Sequence, residues 1–222
     1  MRKVAVVINA RIQSTRVPRK LVKPFGDTTL LDIALKKLLN INADEKYLAA
    51  CENDILDIYK PYEKDVGILF REQKSVAKGE NPHSVSFAHY AKTETKWIVI
   101  MNACLPFTKI GMYNEAIDRF KKDESIRTAT SAIKEHNMYF DERFQPINLK
   151  DRDFISSRNT TPIYKMANAY HIINRDLFLS TGKLWNYSEG DPLFMEVDPF
   201  DCLDVDTPSE FSFCEELYKL RN

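Results

Sequence analysis

Short runs of β-branched and apolar residues recur along this chain and alternate with segments of helical periodicity. The first run, Val4–Ile8, is apolar throughout, which is typical of a strand buried on both faces of a parallel sheet. The segment 29–40 repeats its aliphatic residues at helical spacing, and Thr28 or Thr29 can cap it. The alternation predicts an α/β fold with three layers, α/β/α, around a mainly parallel (mixed) sheet.

The same alternation continues to the end of the chain. We predict further strands at 46–51, 66–72, 96–103, 126–133, 163–173 and 202–206. Helices are expected at 53–64, 81–92, 109–122, 174–184 and 208–220, with an irregular stretch at 134–162. Thr207, Pro208 and Glu210 supply a cap, a first-turn proline and a capping-box acid for the last helix. No linker or repeat divides the chain, so one domain over 1–222 is expected.

The composition argues against several classes of protein. Lys plus Arg and Asp plus Glu balance at 32 each, so the whole-chain charge provides no case for a nucleic-acid or membrane partner. The chain has no uncharged apolar stretch of about 18 residues, and the run after the basic start is too short for a signal peptide. We therefore expect a cytoplasmic protein. The 4 cysteines have neither CxxC nor zinc-like spacing, which favours free thiols.

The charges are unevenly distributed along the chain. Residues 1–26 contain seven cations and no acid, whereas residues 186–218 contain ten acids and neither Lys nor Arg. Ligands of open α/β sheets bind beyond the carboxyl ends of the strands, where the loop after the first strand and the end of the last predicted strand both lie. A polyanion with a metal ion could bridge two such segments, although charged segments are usually only solvated.

The loop after the first strand has cations at regular intervals. It contains R-x-x-S-x-R-x-P-x-K, formed by Arg11, Ser14, Arg16, Pro18 and Lys20, and lacks the glycines of a dinucleotide fold or a P-loop. Backbone N–H groups, a hydroxyl, two guanidinium forks and an ammonium can together hold phosphate oxygens. A solvated basic loop or a nonspecific RNA-contacting patch is the alternative.

The acidic segment contains an Asp-Val-Asp sequence. In the predicted strand, Asp204 and Asp206 flank Val205, so their side chains would share one face. Two carboxylates in this arrangement can coordinate a hard cation, Mg²⁺ or Mn²⁺, through oxygen. A pair of strand-end acids without a ligand is the alternative.

The spacing of the basic loop resembles the signature of the CTP-dependent cytidylyltransferases that make CMP-sialate and CMP-keto-deoxyoctulosonate. The ending "FDCLDVDTPSEFSFCEELY" is similar to the D-x-D-T-P-x-D/E-F segment of that family, and "LFRE", "MNACLPF" and "YKMANAYHIINRDLF" lie between in the expected order. The resemblance covers nearly the whole chain. It implies a nucleotide-diphospho-sugar transferase-like (Rossmann-like) fold, with CTP and a small anionic sugar as ligands.

The resemblance also implies roles for individual residues. The catalytic set is Arg11, Arg16, Lys20 and Asp206; the metal ligands are Asp204 and Asp206; the nucleotide-binding set is Ala10, Arg11, Ser14, Arg16, Lys20, Arg71 and Asn102; the substrate-binding set is Asn168 and Tyr170. Three positions depart from the family pattern. Cys104 stands in place of an aspartate of the octulosonate enzymes, Ala169 in place of the glycine of N-G-x-x-Y, and Arg19 in place of a common glycine.

The implied function is transfer of CMP from CTP to a sialate-like or other keto-sugar acid with release of pyrophosphate, for surface polysaccharide or glycoconjugate synthesis. Relatives generally dimerise through an arm late in the chain, so a homodimer through 134–162 is expected. One alternative is a nucleotide-sugar glycosyltransferase, since these enzymes also use a D-x-D pair. Because Cys104 replaces an acid, a second alternative is an inactive homologue that only binds nucleotide.

Overall fold

The computed structural model describes residues 2–77, 81–151 and 153–221. The strands are β1 Val4–Asn9, β2 Pro24–Phe25, β3 Thr28–Thr29, β4 Glu45–Ala50, β5 Gly67–Phe70, β6 Trp97–Met101, β7 Ala129–Glu135, β8 Ile163–Asn174 and β9 Leu193–Glu196. The α-helices are α1 Leu30–Leu39, α2 Asn53–Tyr59, α3 Gln73–Val76, α4 His83–Ser86, α5 Ile110–Lys122, α6 Arg175–Thr181 and α7 Pro208–Arg221. None of the described helices is both long and apolar enough to cross a membrane.

One sheet of 7 strands forms the centre of the molecule, in the order β5-β4-β1-β6-β8-β7-β9. Strand β1 pairs in parallel with β4 and β6, β4 pairs in parallel with β5, and β7 pairs in parallel with β9. Strand β8 is antiparallel to both of its neighbours, β6 and β7. The sheet is therefore mixed and mainly parallel, as predicted. Strands β2 and β3 form a separate small hairpin.

Helices cover both faces of the sheet because the central strands are apolar on both sides. Val4, Val6 and Ile8 of β1 lie in the larger core cluster, which also contains side chains of α1, α2, α5 and α7. Ala5 and Val7, which point to the other face, lie in a smaller cluster with α6 and the 3₁₀ helix Ala88–Lys92. This arrangement confirms the three-layer α/β/α prediction.

One predicted strand is wrong, and three observed strands, β2, β3 and β9, were not predicted. Residues 203–206 form no strand, because their N–H groups bond elsewhere: Val205 N–H donates to Cys104 O, and Asp206 N–H donates to the Glu210 carboxylate. The strand beside β7 is β9, whose four residues are too few to show a clear periodicity.

Three predicted helices are shorter than expected, including the helix predicted over 174–184, which forms over Arg175–Thr181. The helix that begins at Asn53 ends at Tyr59 and continues as a 3₁₀ turn, Lys60–Tyr62, which accommodates Pro61. The segment predicted as a helix over 81–92 contains only α4 and then the 3₁₀ helix. The last helix agrees with its prediction: Glu210 N–H donates to Thr207 Oγ1, and Thr207 N–H donates to the Glu210 carboxylate.

Candidate active site

The loop after β1 lies at the edge of the sheet where β1, β4 and β6 all end. Ala10 N–H donates to Ala49 O at the end of β4, which holds the start of the loop on the sheet. Ile12 N–H donates to Glu52 Oε1 at 3.1 Å, so a residue two positions after β4 also anchors the loop. The N–H groups of residues 13–16 have no acceptor within the described part of the chain. These free donors can bind an anion above the strand ends.

Arg19 closes the far end of the loop in a left-handed conformation, with φ at 59°. This region of backbone space favours glycine, so an arginine at this position costs free energy. The Arg19 guanidinium bonds to Asp54 Oδ2 at 2.6 Å, at the start of α2. A surface ion pair of this kind offsets part of that cost.

The basic loop meets the acidic segment directly at Asp206. Arg16 Nη2 lies 2.9 Å from Asp206 Oδ2, and Lys20 Nζ lies 2.9 Å from Asp206 Oδ1. Lys20 is only 8% exposed and also donates to Val205 O. Burial opposes the charged form of Lys20, but Cys104 and Asp206 outweigh it and raise the pKa of the ammonium group. Two segments about 190 residues apart in sequence thus form one ionic cluster.

The second acid of the pair, Asp204, is in a different environment. Its Oδ1 atom is buried and has no hydrogen-bond partner among the described residues. Burial, and secondarily the charge of Asp206, raise the pKa of this carboxyl group to about 6. An unpartnered buried carboxylate oxygen is costly unless a cation or a proton occupies it. The environment of Asp204 therefore fits a hard cation.

No group of three or more potential metal-ligating side chains is present among the described residues. Mg²⁺ does not require one, since it is commonly held by one or two carboxylates together with substrate phosphates and water. The carboxylates of Asp204 and Asp206 fit this way of binding Mg²⁺. The neighbouring Cys104 stays neutral. Burial raises the pKa of the Cys104 thiol to about 11, so it adds no negative charge near neutral pH.

The capping box of α7 holds the backbone of the acidic pair. The Glu210 carboxylate accepts hydrogen bonds from Asp206 N–H at 2.9 Å and Thr207 N–H at 2.7 Å. These backbone donors lower the pKa of Glu210. Glu210 is thus a positioning residue that links α7 to the site.

Arg71, a predicted nucleotide-binding residue, uses its guanidinium mainly to bond backbone carbonyl groups. It is 8% exposed and donates to Ala10 O at 3.0 Å, to Ser75 O at 2.9 Å and to Ser86 O at 3.0 Å. Burial lowers the pKa of its guanidinium. The structure places Arg71 beneath the loop, where it ties Ala10 to α3 and α4.

The structure does not bring Asn168 and Tyr170 together. Strand β8 bulges here, between its pairing with Ala132 and its pairing with Thr130 of β7. Asn168 has a φ of 55° and is exposed, whereas Tyr170 is 2% exposed and its ring packs near that of Tyr113. The bulge breaks the alternation that would have placed both side chains on one face. Asn102 lies next to the bulge, because its N–H donates to Ala169 O.

Two cavities flank the ionic cluster along the strand order. One, of about 640 Å³, lies beside the basic loop over the β5-β4-β1 half of the sheet and is lined by Ile12, Gln13, Glu52, Asp54, Gln73 and Val76, among others. The other, of about 380 Å³, lies between α5 and the segment after β9, over the β8-β7-β9 half. The ionic cluster lies between the two, because Val205 N–H donates to Cys104 O just after β6, which separates the two halves.

The family model for cytidylyltransferases matches residues 5–221. The chain belongs to the cytidylyltransferase family. It is therefore a CTP-using nucleotidyltransferase. A comparison with curated proteins finds no significant match.

Several solved structures resemble this cytidylyltransferase over nearly its whole length. A CMP:2-keto-3-deoxy-manno-octonic acid synthetase complexed with CTP has a TM-score of 0.71 at 13% identity, covering 99% of this chain and 100% of that chain. The 4-diphosphocytidyl-2C-methyl-D-erythritol synthase from Anaerococcus prevotii has a TM-score of 0.69 at 13% identity, with 98% and 99% coverage. A cytidylyltransferase from Leptospira borgpetersenii has a TM-score of 0.62 at 17% identity, with 99% and 88% coverage. At these identities the likeness establishes the fold.

Sequence reasoning missed Glu52 and Glu210 as site residues of this cytidylyltransferase. Glu52 anchors the basic loop and lines the larger cavity, and its position two residues after β4, at the ligand-binding edge, was the available signal. Glu210 was read only as a helix cap, although its spacing from Asp206 already placed it beside the acidic pair.

Proposed function

We propose that this cytidylyltransferase moves CMP from CTP to a keto-sugar acid, sialate-like or similar, and releases pyrophosphate, for surface polysaccharide or glycoconjugate synthesis. The observation that carries the proposal is the contact of Arg16 and Lys20 with Asp206. It brings the basic loop and the pair Asp204 and Asp206 to one point between two cavities, which supports a shared role in binding a triphosphate and a metal ion.

The basic loop would hold the triphosphate. Arg11 and Arg16 are exposed and the N–H groups of residues 13–16 are free, so guanidinium forks and backbone donors can share the β- and γ-phosphate oxygens. Ser14 adds a hydroxyl donor. When phosphates bind Arg16, its guanidinium exchanges the contact with Asp206 for contacts with phosphate oxygens, which frees Asp206 Oδ2 for a cation. Lys20, which is buried, keeps Asp206 in place and neutralises part of the charge that develops.

Asp204 and Asp206 would hold Mg²⁺ or Mn²⁺, which polarises the α-phosphate when bound. The protein then acts by positioning and charge neutralisation. An acceptor hydroxyl attacks the α-phosphorus in line, its proton passes to solvent, and the bond to the bridging oxygen of pyrophosphate breaks. Cationic side chains of the loop stabilise the leaving pyrophosphate, so no covalent enzyme intermediate is required.

The larger cavity suits the nucleoside, because Ile12 and Gln13 of the triphosphate loop form part of its wall. The acceptor must then approach from the opposite side of the α-phosphate, over the β8-β7-β9 half. An acidic sugar as acceptor is supported by the motif resemblance and by the name of the octonic acid synthetase among the structural neighbours.

The test is pyrophosphate release from CTP and Mg²⁺ with a panel of keto-sugar acids and, for comparison, 2C-methylerythritol phosphate. We expect release only with a sugar acid, and a larger rise in melting temperature with CTP than with UTP, ATP or GTP. Release with the erythritol phosphate alone would exclude the sugar-acid proposal. Stabilisation by CTP without release for any acceptor would favour an inactive nucleotide-binding homologue.

We also propose a homodimer, formed through the arm defined as residues 134–162. This arm extends from the distal ends of β7 and β8 and exposes large apolar side chains, including Phe140 at 54%, Phe144 at 83% and Ile147 at 60% exposure. Such a concentration of exposed aromatic and aliphatic side chains is typical of a surface that is buried in an assembly.

A further inference from the structure

The smaller cavity has an apolar floor with a single polar group. Its floor is formed by Met112 and Ala116 of α5, by Met195 of β9, and by Tyr170 of β8. Tyr170 is 2% exposed, yet its hydroxyl has no hydrogen-bond partner among the described residues. Its ring is packed in the core, while its hydroxyl is not among the buried atoms without a partner, so the oxygen is open to the cavity. A hydroxyl that is held by a buried ring and faces a cavity can bond to a molecule bound there.

Two charged side chains at the mouth of the cavity are also without partners. Glu115 and Arg119 are one helical turn apart on the face of α5 that lines the cavity, a spacing at which opposite charges often pair. Neither forms an ion pair or a side-chain hydrogen bond within the described part of the chain. Both are exposed and free to contact a bound molecule.

Most of the other charged side chains at the mouth have partners within the protein. Lys109 pairs with Asp201 at 3.0 Å, and Glu196 lies 3.6 Å from Lys134. Asp198 has one oxygen free, since its Oδ1 accepts from Phe200 N–H. The free groups are therefore one guanidinium and two carboxylates, which suit a molecule carrying one anionic group and at least one cationic or donor-rich group.

The cavity lies next to the reacting groups. Asp201, on its wall, precedes Asp204 by three residues in an irregular segment, and Lys109, also on its wall, ends the loop that contains Cys104. Tyr170 follows Ala169, whose carbonyl binds Asn102 at the end of β6. A sugar in this cavity can therefore direct a hydroxyl towards Asp206.

We propose that this cavity is the acceptor site and that it selects a sugar acid bearing a free amino group. This inference rests on the proposed function. The Arg119 fork holds the carboxylate of the acceptor, Glu115 and Asp198 bind the ammonium group, and the Tyr170 hydroxyl bonds to a ring or chain hydroxyl. The apolar floor packs against the carbon skeleton.

The first test changes the charges on α5. Arg119→Met should raise the KM for the sugar acid about tenfold, as expected for loss of a charge-assisted contact, and leave the KM for CTP unchanged. Glu115→Gln should remove the preference for the free amine over its N-acetylated form, which we expect to be about tenfold in kcat/KM in the parent. Lys122→Met and Asp118→Asn are matched controls, since both residues are exposed on α5 and lie outside the cavity.

The second test fills the cavity without altering a charge. A Cβ atom at Gly111, on the cavity wall, would meet no atom within 4 Å, and its backbone is helical, so Gly111→Phe can be accommodated without strain. We expect this variant to lose acceptor binding in titration calorimetry with CTP present, while Gly111→Ala binds normally. The melting temperature shift with CTP should be unchanged in both.

These results distinguish the inference from the function on which it rests. Acceptor KM values that are unchanged in Arg119→Met and Gly111→Phe, with normal pyrophosphate release, would overturn the cavity assignment alone. A parent that prefers the N-acetylated acid, with no effect of Glu115→Gln, would overturn the amino-group selection. A parent that uses no sugar acid would overturn both the proposed function and this acceptor site.

Discussion

The two halves of the ligand-binding edge differ in how completely their polar groups are paired. In the nucleotide half, which consists of the basic loop and residues 202–210, Asp206 contacts two cations and Glu52 and Glu210 hold backbone N–H groups. In the acceptor half, which consists of the smaller cavity and the arm, Arg119 and Glu115 are free and large apolar side chains are exposed.

Backbone conformation follows the same division. Four described residues other than glycine have a positive φ. Phe144 lies in the arm, Asn168 in the neighbouring strand β8 and Tyr187 before β9, whereas Arg19 is the one in the nucleotide half. In the proposed nucleotide half, backbone hydrogen bonds and Lys20 already fix the loop and Asp206, so only the Arg16–Asp206 pair has to rearrange when a triphosphate binds. In the proposed acceptor half, the free charges and exposed apolar side chains remain available for contacts with a ligand or a partner.

The largest expected effect comes from breaking the nucleotide half at its centre. Asp206→Asn keeps the size of the side chain but removes the charge that pairs with Arg16 and Lys20 and that would hold the metal. We expect kcat for pyrophosphate release at saturating CTP to fall by about a hundredfold or more. Asp57→Asn, on the exposed side of α2, is the control. Turnover at the parent rate at low Mg²⁺ would make the Asp-Val-Asp pair structural.

The next effect concerns the arm in the acceptor half. Replacing Phe140 and Phe144 together by serine should weaken the proposed dimer, with the dissociation constant rising about thirtyfold or more, because buried aromatic anchors dominate such interfaces. Sedimentation velocity at micromolar concentration measures it. Phe213→Ser, which alters an aromatic residue of α7 that is 62% exposed, is the control. A monomeric parent at this concentration would refute the dimer.

A smaller effect is expected on stability at Asp204. Its pKa is raised to about 6 from 3.8, so the folded state binds the proton more tightly, and the parent loses stability as the pH rises from about 4 through 6. Without metal, Asp204→Asn should gain about 2 kcal/mol in unfolding free energy relative to the parent over this range, after discounting for partial solvent screening. Urea titrations at both pH values test this. The same change in unfolding free energy with pH in the parent and in Asp204→Asn would contradict this prediction.

The smallest effect is expected at Arg19. Arg19→Gly relieves a left-handed residue, worth about 1 kcal/mol, but increases the entropy of the unfolded chain and breaks the pair with Asp54. We expect the unfolding free energy to change by less than about 1 kcal/mol. Asp54→Asn breaks the same pair without relieving the backbone and should be the less stable variant. A loss above about 2 kcal/mol in Arg19→Gly would show that Arg19 has a larger role.

The sequence alone determined the features that depend on local pattern. Val4–Ile8 is apolar at every position, so a strand covered on both faces was predictable, and with it the three-layer fold. The Thr207–Glu210 capping box depends on a spacing of three residues and formed as expected. The basic loop and the Asp-Val-Asp pair could be named because their chemistry lies within short segments.

The tertiary structure decided which of these residues meet and which polar groups have no partner. Only the fold buries Lys20 against Val205 O, leaves Asp204 Oδ1 without a donor, and turns residues 203–206 away from the sheet. The β8 bulge, which separates Asn168 from Tyr170, likewise depends on pairing with β7 and β6. Burial and long-range pairing depend on contacts between segments that are distant in sequence, so no local pattern encodes them.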